Sequence, residues 1–284
     1  MSNYVHPEVI VDTQWLDEHL NDEKVRIVEV AVNPQAIPTE VIPRAVMWNP
    51  FTDLMLPDRK VNFEKANIEK LLGRSGIEND STIIVYGELA AVGGWIFWLL
   101  KVFGHQDVRI LNGSRNKWIA EKRPLAQIKT VATPTQYSAQ QPDANLRALY
   151  EEVRNSIEQT DSVILDVRTP EEYSGKWFYD KPPENNERTG HITSAVHVSY
   201  DSSLNEDGTL KPIEELRKIY ESKGITADKQ IIPYCAVGAR SAHTWFVLKY
   251  LLGYPNVRNY DGSWSEWSRS SDAPIEKEGN SSRS

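Results

Sequence analysis

The chain has 284 residues, 40% of them hydrophobic and 25% charged, so it can form ordinary hydrophobic cores and falls outside the disordered and collagen-like classes. At roughly 150 residues per domain, this length predicts about two domains. The net charge of −8 excludes a general attraction to nucleic acid or to anionic membranes, and the single cysteine, Cys235, excludes an intramolecular disulfide, a cysteine-rich zinc site and a dithiol redox pair.

In the first half of the chain, short β-branched runs alternate with segments of helical period. Residues 27–30 and 83–86 are predicted strands. Residues 121–145 are rich in Pro, Thr, Gln and Ala and have little periodicity, which is typical of a linker. We therefore expect an N-terminal domain at 1–125, a linker at 126–146 and a C-terminal domain at 147–284.

The second half contains two further predicted strands, at 163–167 and 231–234. A helix is predicted from Ser241 through Leu252, because the apolar residues of this segment recur at helical spacing. The C-terminal segment has few core-forming residues, and we expect it to be mobile from about residue 275.

The two halves repeat each other. Residues 97–118 align with 246–267 without a gap, and eight of the 22 positions are identical. Three shorter blocks align in the same order: 25–30 with 162–167, 41–46 with 191–196 and 81–87 with 229–235. A duplication of alternating strands and helices predicts an α/β fold of two tandem domains, each with a mainly parallel sheet flanked by helices on both faces. Ligand sites of such sheets lie at the carboxyl ends of the strands.

Cys235 follows a predicted strand and precedes the predicted helix at Ser241. A lone cysteine is often an inert core residue. A loop between a parallel strand and a helix, however, directs backbone N–H groups inward, and these amides, the helix dipole and a nearby arginine such as Arg240 favour a reactive thiolate. Gly238 permits a tight turn, and Ser241 can cap the helix. The aligned position in the first half is Gly87, so we expect only the second domain to be catalytic.

Four motifs add to this arrangement: LDVRTPEEY at 165–173, GHITSAV at 190–196, YCAVGARS at 234–241 and NYDGSW at 259–264. With the duplication, they make the chain similar to the two-domain rhodanese family of thiosulfate and 3-mercaptopyruvate sulfurtransferases, closer to the thiosulfate-using type. The resemblance implies an inactive N-terminal domain and a catalytic C-terminal one. It also implies that the sulfane sulfur of thiosulfate moves to cyanide or a thiol through a persulfide on Cys235, with no cofactor and no metal.

The resemblance further implies which residues bind the donor. Arg168 would bind the donor anion, and Arg240 would bind the sulfonate of thiosulfate, since guanidinium groups form charge-assisted hydrogen bonds with oxyanions. Alternatively, Arg168 could pair with Glu171 or Glu172, and Arg240 could be solvated. The backbone of the loop would complete the site through Ala236, Val237, Gly238, Ala239 and Ser241.

Some features depart from the family pattern. Ala236 stands where many thiosulfate-using members have a basic residue, and Val237 stands where mercaptopyruvate-using members have a serine. A 3-mercaptopyruvate sulfurtransferase therefore stays an alternative, as does a non-catalytic rhodanese-like binding module. A cysteine phosphatase or arsenate reductase has five residues between the cysteine and the arginine, whereas this loop has four.

The remaining expectations concern catalytic histidines, location and partners. His191 and His243 receive no catalytic role, because a thiolate nucleophile needs no general base. The unpaired cysteine, the lack of an apolar run of about 18 residues and the lack of a leader pattern predict a cytoplasmic protein. We expect a monomer that binds a small-molecule sulfur donor and acceptor, without nucleic acid or membrane.

Overall fold

The computed structural model describes residues 3–33, 38–128 and 132–277, which divide into two compact units. The first unit comprises His6–Ala144 and Leu204–Lys211, and the second comprises Asn3–Val5, Asn145–Ser203 and the chain from Pro212 onward. Each unit has a parallel sheet flanked by helices, so the predicted α/β fold is confirmed.

The first unit begins with a 3₁₀ turn at Pro7–Val9. Its strands and helices are, in chain order, β1 Ile10–Val11, α1 Thr13–Glu18, β2 Val25–Val30, β3 Glu40–Val41, β4 Val46–Trp48, α2 Pro50–Asp53, α3 Lys65–Arg74, β5 Thr82–Gly87, α4 Ala90–Val102, β6 Val108–Leu111, α5 Ser114–Ala120 and β7 Ala126–Gln127.

The main sheet of the first unit has the strand order β1-β6-β5-β2-β4, and every pair is parallel. β2 and β5 contain the two strands predicted for this half, and Ile27 lies opposite Ile84. Both strands are almost continuously buried, as expected of a parallel sheet covered on both faces. The chain beyond α5 also packs on this unit, since β7 pairs with β3 and the Thr135 amide donates to the Gly73 carbonyl at 2.9 Å.

The second unit includes 3₁₀ turns at Ala144–Leu146 and Tyr200–Ser203 near its chain boundaries. Its strands and helices are, in chain order, α6 Tyr150–Ser156, β8 Ser162–Asp166, α7 Pro170–Ser174, β9 His191–Ile192, β10 Val196–His197, α8 Ile213–Glu221, β11 Gln230–Tyr234, α9 Ala239–Phe246, α10 Ser263–Trp267 and β12 Ile275–Glu276.

The sheet of the second unit has the parallel order β10-β8-β11, and isolated parallel bridges continue it beyond β11. In this register Tyr234 lies opposite Asp166, so the chain leaves both central strands at the same edge. The motif that contains Arg168 and the loop that contains Cys235 therefore begin side by side, although they are far apart in sequence.

Two details of the second unit differ from the sequence predictions. The predicted helix start at Ser241 is wrong by two residues: α9 begins at Ala239, because Gly238, in the left-handed region, occupies the cap position. After Phe246 the helix continues as a π-helical turn at Val247–Leu251. Of the tail predicted to be mobile, Ile275–Glu276 form β12 and pair with β9, and residues 278–284 lie outside the described residues. Within the described residues, no helix has the length and apolarity needed to cross a membrane.

Candidate active site

Cys235 lies between the end of β11 and the start of α9, and its loop folds around the sulfur. The Gly238 amide donates a hydrogen bond to the Cys235 Sγ at 3.1 Å. The Ser241 hydroxyl lies 3.6 Å from the same sulfur and donates to the Gly238 carbonyl at 3.0 Å. Because Cys235 is only 1% exposed, a reactant must bring its reacting sulfur into the loop.

The tight turn of the loop depends on Gly238. Its φ is +91°, and a Cβ at this position would lie 2.8 Å from the carbonyl oxygen of Asp261. Asp261 is itself held by Arg147, whose guanidinium makes two hydrogen bonds of 3.0 Å to its carboxylate. On the other side, the Asn259 amide donates to the Gly238 carbonyl at 3.3 Å. Only glycine fits here without displacing backbone.

Ser263 fixes the backbone of the cysteine, and sequence reasoning did not identify it. Its buried hydroxyl accepts the Cys235 N–H at 3.0 Å and donates to the Tyr260 carbonyl at 2.8 Å. The repeat contained the signal, because Ser263 aligns with Ser114, whose hydroxyl accepts the Gly87 N–H at 3.1 Å. The two halves therefore hold the end of the corresponding strand in the same way.

Arg240 lies in the first turn of α9 and forms a bidentate ion pair with Glu172. Its two terminal nitrogens lie 2.7 and 2.8 Å from the Glu172 carboxylate. The Glu172 side chain is 1% exposed and that of Arg240 is 22% exposed, so the guanidinium retains an accessible side. Burial disfavours its charge, but hydrogen bonding to Glu172 and electrostatic interaction with Cys235 and Glu172 outweigh burial and raise the pKa of Arg240. Arg240 is therefore cationic and lies within electrostatic reach of the sulfur, and it is not simply solvated.

Arg168 is buried in an ion pair with Asp166. Its Nε and Nη2 donate to the Asp166 carboxylate at 3.0 and 2.6 Å, and Nη2 also donates to the Gly190 carbonyl at 2.6 Å. The guanidinium lies 4.4 Å from the centre of the Trp264 ring. Its partner is therefore Asp166, whereas Glu172 pairs with Arg240. Binding of the donor anion by Arg168 stays a prediction.

A tyrosine and a carboxylate organise the strand ends of both halves. The Tyr234 hydroxyl accepts the Ile192 N–H at 3.0 Å and donates to Asp166. In the first unit, Tyr86 accepts the Ile42 N–H at 3.0 Å and donates to Glu29. The arginine that pairs with the carboxylate comes from a different element in each half: Arg115 of α5 binds Glu29, while the position aligned with Arg115 is Trp264, which stacks on Arg168.

The two histidines make structural contacts. His243 is 2% exposed, its Nε2 lies 3.0 Å from the Ser203 hydroxyl, and burial lowers its pKa to about 4, so it is neutral at pH 7. His191 stacks on Tyr173 with ring centroids 3.8 Å apart, and its Nδ1 lies 2.9 Å from the Tyr173 carbonyl.

The first unit lacks room for a side chain at the position of the cysteine. A Cβ at Gly87 would lie 2.8 Å from the Val30 carbonyl oxygen and 3.3 Å from Val92. A thiol could enter here only if backbone moved. The geometry thus gives a steric reason why the first half has no counterpart of Cys235.

A family model described as Rhodanese-like domain matches the chain twice, over residues 12–121 and 149–270. The chain belongs to the rhodanese-like sulfurtransferase family. The predicted family and its tandem domains are thereby confirmed, and the second match contains the only cysteine of the sequence.

Relatives match this chain over nearly its whole length. The sulfur carrier protein TtuD of Thermus thermophilus is 42% identical over 280 residues, which cover 96% of this chain and 98% of that protein. A protein of Mycolicibacterium smegmatis named "Putative thiosulfate sulfurtransferase" is 42% identical over 272 residues, which cover 95% of this chain and 98% of the relative.

Solved structures share the fold. The anaerobic ergothioneine biosynthesis enzyme of Chlorobium limicola, in complex with trimethyl histidine, superimposes with a TM-score of 0.86 at 21% identity, covering 98% of this chain and 72% of that one. An EanB variant with a cysteine persulfide and ergothioneine gives a TM-score of 0.86 at 22% identity, with the same coverage. At these identities, the likeness concerns the fold alone.

Proposed function

We propose that this rhodanese transfers the sulfane sulfur of thiosulfate to a thiophilic acceptor, such as cyanide or a thiol, through a persulfide on Cys235. The observation that carries the proposal is the position of the sulfur at the N-terminus of α9, where the Gly238 amide donates to it at 3.1 Å. A helix N-terminus and an adjacent arginine stabilise a thiolate, which is the nucleophilic form of cysteine.

The reaction has two displacement steps. The Cys235 thiolate attacks the outer sulfur of thiosulfate, the sulfur–sulfur bond of the donor breaks, and sulfite leaves with the bonding electron pair. The acceptor then attacks the outer sulfur of the persulfide, and Cys235 leaves again as a thiolate. No electrons are supplied from outside, so the cycle requires no redox cofactor, and neither proposed step involves a metal.

Arg240 supports the first step. Its accessible side offers further N–H donors to the sulfonate of the donor, since a guanidinium has five and Glu172 occupies only part of them. The loop amides and the dipole of α9 favour the same anion. Arg168 would contribute indirectly, by holding Asp166, which accepts a hydrogen bond from the hydroxyl of Tyr234 just before the loop.

The choice of thiosulfate rests on two further observations. Three relatives that are 38 to 42% identical over most of the chain bear the name "Putative thiosulfate sulfurtransferase". The loop has only four residues between Cys235 and Arg240, so it is shorter than a phosphate-binding loop and suits a single sulfur atom. Because the chain has no second cysteine to resolve the persulfide, the sulfur must pass to another molecule.

Intact-mass analysis tests this proposal. The protein is incubated with thiosulfate or with 3-mercaptopyruvate, freed of excess donor and weighed. We expect thiosulfate to add one sulfur atom, cyanide to remove it as thiocyanate, and Cys235→Ser to add none. Faster persulfide formation from 3-mercaptopyruvate would replace the proposed donor by the alternative one. A protein that gains no sulfur from either donor would be a non-catalytic module, and the proposal would be wrong.

A further inference from the structure

Both arginines of the site are already paired with a buried carboxylate. Glu172, 1% exposed, neutralises Arg240, and Asp166, which is fully buried, neutralises Arg168. The position after the cysteine carries no charge, because it is Ala236. These two arginines, each paired with a carboxylate, therefore add no net positive charge to the site.

Several contacts hold Glu172 in place. It lies in the first turn of α7, where its amide bonds to the Thr169 hydroxyl at 3.3 Å and its carboxylate accepts the Thr169 N–H at 2.9 Å. This reciprocal capping box holds the carboxylate through contacts that do not involve Arg240. The same carboxylate oxygen that accepts the Thr169 N–H also accepts from Arg240 at 2.7 Å. Arg240 is thus oriented by an anion that is part of the fold.

The remaining exposure of Arg240 lets a donor approach while Glu172 stays bound. The Arg240 side chain is 22% exposed and that of Glu172 only 1%, so a sulfonate can use the guanidinium N–H groups that Glu172 does not occupy. An incoming anion is attracted by Arg240 and repelled by Glu172 at a slightly greater distance. The repulsion grows with the charge of the donor, so it acts more strongly on a dianion than on a monoanion.

We propose that Glu172 is a specificity-determining residue of this rhodanese, which limits its preference for dianionic sulfur donors over monoanionic ones by neutralising Arg240. The inference rests on the proposed function and deepens it, because it concerns the donor of the same persulfide. It also gives Glu172 a positioning role, since the carboxylate acts on the donor through the guanidinium that it holds.

The test compares persulfide formation in Glu172→Gln and in the wild-type protein. Second-order rate constants are measured by intact mass with thiosulfate, a dianion, and with 3-mercaptopyruvate, a monoanion at neutral pH. Glutamine can keep the capping box while losing the charge. We expect the ratio of the thiosulfate to the mercaptopyruvate rate constant to rise about fivefold or more, and to fall again with added salt.

Two control variants separate charge from structure. Glu171→Gln removes the same charge from the same helical turn, while both terminal nitrogens of Arg240 remain on Glu172, and the donor ratio should stay at the wild-type value. Glu172→Asp keeps the charge, so the ratio should stay close to wild type even if both rate constants fall. A Glu172→Gln variant in which both rate constants change in parallel would show a merely structural residue and would overturn the inference.

A binding measurement distinguishes failure of this inference from failure of the proposed function. Sulfate is a dianion that has no transferable sulfane sulfur. Its protection of Cys235 from alkylation therefore measures anion binding at the loop without any sulfur transfer. We expect the sulfate concentration that half-protects Cys235 from alkylation to be several-fold lower in Glu172→Gln than in the wild-type protein. Equal sulfate protection in the two proteins would overturn the role of Glu172, whereas tighter protection without any persulfide would overturn only the transfer reaction.

Discussion

Replacing Gly238 by alanine should damage the loop around Cys235 more than the same change at another left-handed glycine. Gly238 has a φ of +91° and Gly224 has a φ of +73°, and both lie in the second unit. A Cβ at Gly224 would meet no heavy atom within 4 Å, whereas one at Gly238 would lie 2.8 Å from the Asp261 carbonyl oxygen and 3.0 Å from its Cα. The two variants thus share the backbone conformation and differ in the close contact.

The expected magnitudes follow from these two terms. A non-glycine residue in the left-handed region destabilises the folded protein by about 1–2 kcal/mol, and both variants should show this loss of stability. Relief of the overpacking at position 238 should cost about 1–3 kcal/mol more, because the obstacle is backbone and cannot rotate away. Asp261 cannot readily move either, since Arg147 holds its carboxylate through two hydrogen bonds of 3.0 Å.

Hydrogen exchange of the β8 and β11 amides measures the stability of the second unit, and intact mass measures persulfide formation. We expect Gly238→Ala to reduce the free energy of opening by about 2–5 kcal/mol and to slow persulfide formation, because the amide that donates to the sulfur is displaced. Gly224→Ala should lose about 1–2 kcal/mol and keep the wild-type rate. Equal losses in the two variants, with an unchanged rate in Gly238→Ala, would refute the reasoning.

Two further predictions concern buried groups next to the site. Arg168→Ala leaves Asp166 as an unpaired buried charge and should destabilise the second unit by about 3–5 kcal/mol in chemical denaturation. If the variant instead keeps the wild-type stability and only binds the donor more weakly, Arg168 would be a direct ligand of the donor. Burial lowers the pKa of His243 from its ordinary 6.5 to about 4, so between these values the unfolded chain binds a proton that the folded unit excludes. The contribution of His243 should therefore lower the free energy of unfolding by up to about 1.4 kcal/mol for each unit by which the pH falls between about 6.5 and 4. His243→Leu should remove this part of the pH dependence, measured by urea titration at several pH values. An identical pH profile in the variant would contradict the buried neutral state.

Local sequence features predicted the framework of the site well. The strand at 231–234, the glycine in the loop and the arginine at the following helix depend on the identity of neighbouring residues, and the structure has each of them. The helix start was two residues late in the prediction. Serine is a common cap, but here the left-handed Gly238 ends the loop and leaves the Ser241 hydroxyl beside the sulfur.

The partners of the charged residues could not be predicted in this way. The sequence offered Glu171 and Glu172 as neighbours of Arg168, yet Arg168 binds Asp166, and Glu172 binds an arginine 68 positions later in the chain. Carboxylates close in sequence are chemically equivalent, and only packing decides which of them is buried against which guanidinium. Ser263 shows the same limit, although its alignment with Ser114 in the repeat was visible.

The sequence by itself determined that this protein has two copies of one α/β domain and that its only thiol follows a strand of the second copy, because strand and helix periodicity and the order of the blocks are properties of the linear chain. The tertiary structure decided the electrostatics of the site. Parallel pairing brings the ends of β8 and β11 together, so that Glu172, which follows β8, reaches Arg240, which follows β11. Pairing between charges distant in sequence depends on that register, which no local pattern encodes.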